Sequence, residues 1–150
     1  MDRLFMFIAT GGYSGYLPKA PGTWGSLVGV FLWFFLCHLP LTTYLVITGI
    51  LFVIGVASAG AAEKIVDRGD PGLVVIDEIV GQLITLSIAP FGIIPALAGF
   101  VLFRIFDIIK PFPINWFDSH IHGGLGIMFD DVIAGLYGLL ILAFGLWILG

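Results

Sequence analysis

Charged residues are scarce in this 150-residue chain: they make up 11% of it, against 59% hydrophobic residues. Soluble domains are about 45–50% apolar, and a domain of this size exposes too much surface to hide the excess. The composition therefore predicts an integral membrane protein rather than a soluble domain with an unusually apolar core. The formal net charge of −4 argues against a nucleic-acid partner, which calls for a basic surface.

Cysteine is almost absent, since Cys37 is the single one. This excludes an intrachain disulfide, a thiolate zinc cluster and a C-x-x-C redox pair. Signatures of several phosphatase classes are missing as well. Cys37 lacks a C-x5-R context, and the D-x-D, S-R-x-H and D-G-x-x-A-R elements do not occur. What remains is acid-rich, metal-assisted chemistry.

Long apolar runs are what the chain does have. Three windows contain no Asp, Glu, Lys or Arg: residues 20–62, 79–103 and 132–150. A helix needs about 20 residues to cross the hydrocarbon core. We expect the first window to hold two spans joined by a turn at residues 38–42, and the last to hold one span. The middle window holds either one span or two short helices broken at residues 89–95, where Pro90 and Gly92 lie.

A break in the middle window is favoured, because proline and glycine both interrupt helices. The chain then makes two hairpins and a final span, and its ten acidic and six basic residues fall on one side of the membrane. The positive-inside rule places that side in the cytoplasm. Since lipid leaves backbone groups no partners outside a helix or a closed barrel, we expect one all-α domain over residues 1–150. It would be a polytopic membrane helical bundle of four to five membrane segments, some short or re-entrant.

Acidic residues cluster at the edges of these windows. Asp77 and Glu78 open one predicted helix, Asp130 and Asp131 open another, and Asp107 lies near the end of a third. Any one of them could cap a helix or complement its dipole. That explanation is weaker for two adjacent pairs, because an ionised carboxylate at the bilayer centre costs about 2.5–3.5 kcal/mol.

Basic residues accompany the third of these positions. Arg104, Asp107 and Lys110 follow one another in steps of three, so that neighbours lie on adjoining faces of a helix. An ordinary ion pair with a snorkelling lysine is one interpretation. The other is a phosphate site, in which carboxylates hold Mg²⁺ and the basic side chains bind phosphoryl oxygens.

Two further segments fit a phosphate site without requiring one. The stretch YLPKAPGTWGSLVG, residues 16–29, places Lys19, Thr23 and Ser26 among glycines that expose backbone N–H groups at a helix start. A capped and closely packed helix explains it equally well. His122 begins a glycine-rich run, and it is either a solvated loop histidine or an acid or base beside the phosphate.

Four segments resemble the phosphatidylglycerophosphatase A family. They are PKAPGTWGS, IDEIVGQLITL, FRIFDIIKPFPINWFD and HGGLGIMFDDVIAG, at residues 18–26, 76–86, 103–118 and 122–135. The resemblance implies a Mg²⁺-dependent phosphatase of the bacterial inner membrane with its active site on the cytoplasmic side. Its substrate would be phosphatidylglycerophosphate in the bilayer, and its products phosphatidylglycerol and inorganic phosphate.

Our hypothesis for the site combines these residues around one or two Mg²⁺ ions. The metal-binding and catalytic residues would be Asp77, Glu78, Asp107, Asp130 and Asp131, and the phosphate-binding residues Lys19, Thr23, Ser26, Arg104, Lys110 and His122. The nucleophile is either water or an aspartate that forms an acyl phosphate. A small membrane transporter and a non-enzymatic membrane subunit are the alternatives, and the oligomeric state stays open.

Overall fold

The computed structural model describes the backbone of residues 1–149 and the side chains of residues 1–116 and 120–148. This described part is all-helical, apart from connecting turns. The helices are α1 (Asp2–Ala9), α2 (Pro21–Leu36), α3 (Leu41–Val66), α4 (Ile76–Leu86), α5 (Ile93–Ile109), α6 (Ile114–His120) and α7 (Gly123–Leu149), with a short 3-10 turn at Ser14–Tyr16. The predicted all-α fold is confirmed.

Two helices are long and apolar enough to cross a membrane, Leu41–Val66 and Gly123–Ile148. The other apolar helices are shorter: α2 has 16 residues and α4 has 11. A crossing takes about 20 residues. Length and composition therefore identify α3 and α7 as candidate spans.

The middle apolar window is broken, as predicted. Helix α4 ends at Leu86 and α5 begins at Ile93. Gly92 takes a φ of 157° at the start of α5, a value that L residues rarely adopt. The connection between α2 and α3 likewise falls at residues 37–40, close to the predicted turn.

Helix α4 lies at the centre of the fold, with nine of its eleven residues buried. It packs mainly against α7 and α2. The approach to α7 depends on glycine, because a Cβ on Gly135 would lie 2.5 Å from the Gly81 carbonyl oxygen. Two side chains secure the far end of α4, where helix carbonyls lack intrahelical partners. Trp33 Nε1 donates to Leu86 O at 2.9 Å, and Tyr44 OH donates to Leu83 O at 2.6 Å.

Helix α7 begins earlier than the charge pattern predicts. The sequence places Asp130 and Asp131 at a helix start, but the helix begins at Gly123, so both aspartates lie about two turns inside it. Close packing on α3 accounts for the helical first turns despite the poor helix propensity of glycine. A Cβ on Gly124 would overlap the Val56 carbonyl oxygen and lie 2.7 Å from Gly60 N. The expectation that these aspartates open a helix was therefore wrong.

Candidate functional site

A polar cavity of about 390 Å³ lies where the start of α4 meets the last turns of α3 and α5 and the first turns of α2 and α7. Its ionisable lining comes from elements that are far apart in the sequence. Among the residues with described side chains, those groups are Glu63, Asp70, Asp77, Glu78, Arg104, Asp107, Lys110, His122, Asp130 and Asp131.

Three carboxylates form the centre of this cavity. One oxygen from each of Asp77, Glu78 and Asp131 lies within 4.8 Å of the others. Asp77 and Asp131 are buried, and Glu78 is half-buried. Their oxygens Asp77 Oδ1, Glu78 Oε2 and Asp131 Oδ2 are buried and accept no hydrogen bond from any described residue. Buried polar atoms are normally paired, so these three carboxylates could hold a cation.

The two basic residues flank the three carboxylates. Arg104 Nη1 lies 2.5 Å from Asp107 Oδ2, and Lys110 Nζ lies 2.6 Å from Asp130 Oδ2. The other Asp130 oxygen accepts a hydrogen bond from Asp131 N at 3.0 Å. Each cation therefore pairs with an acid next to the cluster, which leaves the central carboxylates without an ion-pair partner among the described side chains.

The formal charge of the groups that line the cavity is negative. Of the described side chains that line it, seven are carboxylates and two are basic. A phosphate monoester is itself anionic, so it needs further positive charge to enter. The atoms that the three central side chains offer to a metal ion are all carboxylate oxygens. Oxygen donors suit Mg²⁺ or another hard divalent ion better than zinc or copper, which favour imidazole and thiolate.

The first turn of α2 closes one wall. Ala20, Pro21 and Gly22 line the cavity. A Cβ on Gly22 would overlap Glu78 Oε1 and lie 2.9 Å from Arg104 Nη1, so a larger residue here would displace the ends of both site side chains. The unpaired N–H groups of a helix start favour an anion at such a position.

The hydroxyl groups of α2 do not act as predicted caps. Ala20 is the N-cap, and no side chain caps the helix. Ser26 is fully buried and donates to Gly22 O at 2.9 Å, while it accepts a weak 3.5 Å contact from Arg104 Nη1. Ser26 therefore supports Arg104 from behind the cavity.

Eight of the eleven predicted site residues come together in the cavity. They are Asp77, Glu78, Arg104, Asp107, Lys110, His122, Asp130 and Asp131. Lys19, Thr23 and Ser26 are not among the described residues that line it. The backbone of the neighbouring Ala20, Pro21 and Gly22 takes that place.

Sequence reasoning missed Glu63 and Asp70. Glu63 lies in the last turn of α3, and Asp70 follows in the connection to α4 with a φ of 43°. They lie in the charged stretch that separates the first two apolar windows. A signal was present, since a predicted hairpin brings that stretch to the same side as the other acids.

Comparison with known proteins gives a family for this arrangement. A family model described as PgpA, Phosphatidylglycerophosphatase A, matches residues 7–146. The chain belongs to this family. Phosphatidylglycerophosphatase A of Escherichia coli is 40% identical over 145 residues, which cover 96% of this chain and 84% of that protein. The protein of the same name from Haemophilus influenzae is also 40% identical over 145 residues, covering 95% of this chain and 89% of its own length.

A relative with a different name matches to a similar extent. The "Putative phosphatidylinositol-3-phosphatase" of Bacteroides thetaiotaomicron is 39% identical over 153 residues, covering 97% of this chain and 95% of that protein. No solved structure matches the chain. The family predicted from four sequence segments is confirmed. The names of all three relatives describe a lipid phosphatase, but they differ in the lipid headgroup.

Proposed function

We propose that this protein is a membrane lipid phosphatase that hydrolyses the terminal phosphate monoester of phosphatidylglycerophosphate. The products are phosphatidylglycerol and inorganic phosphate. Family membership supports the substrate. The observation that carries the chemistry is the cluster of Asp77, Glu78 and Asp131, whose unpaired buried oxygens lie beside two basic residues in one cavity.

A divalent cation would complete this site, and the carboxylate oxygens available as ligands favour Mg²⁺. Asp77, Glu78 and Asp131 would hold it, and Asp107 and Asp130 line the same cavity beside them. Bound there, the ion polarises the phosphoryl oxygens and lowers the pKa of water.

The chain's own residues then bind and orient the phosphate. Arg104 and Lys110 offset the charge of the phosphoryl oxygens, and the residues at the start of α2 line the same cavity. Water attacks phosphorus, its proton passes to a carboxylate, and the bond between phosphorus and the glycerol oxygen breaks. His122 lines the cavity and can return a proton to that oxygen.

An aspartate is the alternative nucleophile, and it would pass through an acyl phosphate. A single turnover in ¹⁸O-water, combined with acid quenching to trap any phosphorylated protein, decides between the two. Direct attack by water puts the label into the first phosphate released. An acyl phosphate hydrolysed at phosphorus also labels that phosphate, but it leaves a phosphorylated protein that can be trapped by acid quenching.

The proposed function includes a membrane arrangement, which the two long apolar helices support. Helices α3 and α7 span the bilayer, and α2 with the α4–α5 hairpin supplies the shorter segments of a four- to five-segment bundle formed by one domain. The cavity opens to the cytoplasmic side of a bacterial inner membrane. The positive-inside rule favours this orientation, because it places the basic residues on that side. The acyl chains stay in the bilayer while the headgroup reaches the carboxylates.

Phosphate release by purified protein in detergent tests this proposal. Phosphatidylglycerophosphate, phosphatidic acid and phosphatidylinositol 3-phosphate are compared, each with Mg²⁺ and with EDTA. We expect release from the first lipid only with metal. Release from phosphatidylinositol 3-phosphate at an equal or higher kcat/KM would reassign the headgroup, to which the Bacteroides relative's name draws attention. No metal-dependent release from any lipid by folded protein would contradict the proposal.

A further inference from the structure

Gln82 is a buried polar residue to which the reaction above assigns no part. It lies on α4 and is fully buried. Neither its Nε2 nor its Oε1 has a hydrogen-bond partner among the described residues. A buried polar group without a partner costs about 1–3 kcal/mol, so an unpaired amide at the centre of the fold calls for an explanation.

Gln82 and Glu78 share one face of α4. They are separated by four residues, which places them one turn apart on the same side of a helix. Both face α2 through its glycines. A Cβ on Gly22 would overlap Glu78 Oε1, and a Cβ on Gly29 would lie 2.8 Å from Gln82 Cβ. Gln82 therefore lies directly behind Glu78, on the side away from the helix start.

The buried atoms without a hydrogen-bond partner near Gln82 include both an acceptor and a donor. Glu78 Oε2 is a buried acceptor without a partner, and Arg104 Nε is a buried donor without one. Arg104 lies against the same face of α2. Its Nη1 contacts Ser26 at 3.5 Å, and Ser26 lies between Gly22 and Gly29 on that helix. A glutamine amide carries the matching pair, two N–H donors and one carbonyl acceptor.

We propose that Gln82 is a positioning residue for Glu78: its amide nitrogen donates to Glu78 Oε2, and its oxygen accepts from Arg104 Nε when the site is loaded. A carboxylate oxygen has two lone pairs, so Glu78 Oε2 can accept from Gln82 on one side and face the ion on the other. This role deepens the proposed function, because it rests on the metal site described above. Residues that orient metal ligands typically change metal affinity about 10- to 100-fold when replaced.

Gln82→Met tests the role with a side chain of similar length that has no amide. We expect its melting temperature in EDTA to equal or exceed that of the wild type, since an unpaired buried group is removed. Its dissociation constant for Mn²⁺, followed by the EPR signal of the free ion, should rise roughly 10-fold or more. The kcat/KM for phosphatidylglycerophosphate should fall by a similar factor.

Thr85→Val is the matched control. Thr85 is also fully buried on α4, but its hydroxyl contacts two carbonyls, Gly81 O and Gly135 O, at 3.1 Å each. A structural role predicts the opposite pattern: a lower melting temperature with Mn²⁺ affinity within about twofold of the wild type, because no ligand is touched.

Gln82→Asn provides a second variant, which keeps the amide group on a side chain that is one methylene shorter. It should bind Mn²⁺ as weakly as Gln82→Met, and it carries the test if the methionine variant is not recovered folded. A folded Gln82 variant that binds Mn²⁺ as tightly as the wild type would overturn the positioning role. Wild-type protein that binds no Mn²⁺ would overturn it together with the metal site. Wild-type protein that binds Mn²⁺ but releases no phosphate would contradict only the proposed function.

Discussion

The two ends of α4 differ in whether their buried polar groups have hydrogen-bond partners. At its carboxyl end, the Leu83 and Leu86 carbonyls accept hydrogen bonds from Tyr44 OH and Trp33 Nε1. At its amino end, Asp77 Oδ1 and Glu78 Oε2 are buried without partners in the described chain. Satisfied buried groups make a helix end rigid, whereas unsatisfied ones raise its free energy until a ligand arrives. The carboxyl end of the helix is therefore an anchor, and the amino end carries the proposed binding site.

Removing one central carboxylate should have the largest effect on this contrast. Asp131→Asn leaves the shape of the side chain unchanged but takes away one negative charge from a cluster whose oxygens lie within 4.8 Å. We expect kcat/KM to fall by about 10³-fold or more, a loss of roughly 4 kcal/mol in transition-state stabilisation. The melting temperature in EDTA should stay equal or rise, because repulsion between the carboxylates decreases.

Asp67→Asn is the control for that variant. Asp67 is exposed and caps the end of α3 with a φ of 53°, a conformation that asparagine tolerates well. Its activity and Mn²⁺ binding should match those of the wild type. If the kcat/KM of Asp131→Asn stayed within a few fold of the wild-type value, the assignment of Asp131 to the site would be wrong.

Weakening the anchor should change stability and leave the chemistry alone. Tyr44→Phe deletes the hydroxyl that contacts Leu83 O at 2.6 Å and leaves a buried carbonyl unpaired. We expect a loss of about 1–3 kcal/mol in the free energy of unfolding, measured by thermal unfolding in detergent, with kcat per folded molecule unchanged. Tyr16→Phe, at an exposed position, should not alter the melting temperature. A change in kcat for Tyr44→Phe, with little loss of stability, would contradict the division of α4 into anchor and site.

The smallest effect is expected at the rim of the cavity. Glu63 is half-buried in the cavity wall, and Glu63→Gln lowers the negative charge that an anionic lipid meets. The KM for phosphatidylglycerophosphate should fall by a few fold at low salt, and the difference should shrink as salt screens the field. Asp2→Asn, an exposed substitution in α1 that removes the same charge, is the control. An increase in KM for the Glu63 variant would instead mean that Glu63 binds the substrate.

Local patterns predicted much of this architecture because their physics is local. Pro90 and Gly92 interrupt a helix whatever surrounds them, and the break between α4 and α5 follows. Adjacent acids at the edge of an apolar window are costly in any fold, which pointed to Asp77 and Glu78. The resemblance of four segments to one family supplied the lipid, which no pattern of charge reveals.

What the sequence did not predict depends on contacts between distant helices. The start of α7 lies at Gly123 because that segment packs on Val56 and Gly60 of α3. Gln82 is polar within an apolar run, and only the glycine face of α2 shows that it lies behind Glu78. The roles assigned to Lys19 and Thr23 stay predictions, with the backbone of residues 20–22 in the position expected for their side chains.

The division of the carboxylate cluster between α4 and α7 has a consequence for biogenesis. Asp77 and Glu78 come from α4, but the third carboxylate belongs to α7, which follows every other helix of the described chain. During synthesis, α4 is therefore made long before the partner that covers it and completes its site. A ribosome-bound chain that has not yet released α7 lacks Asp131, so the three-carboxylate cluster forms only once that helix has docked.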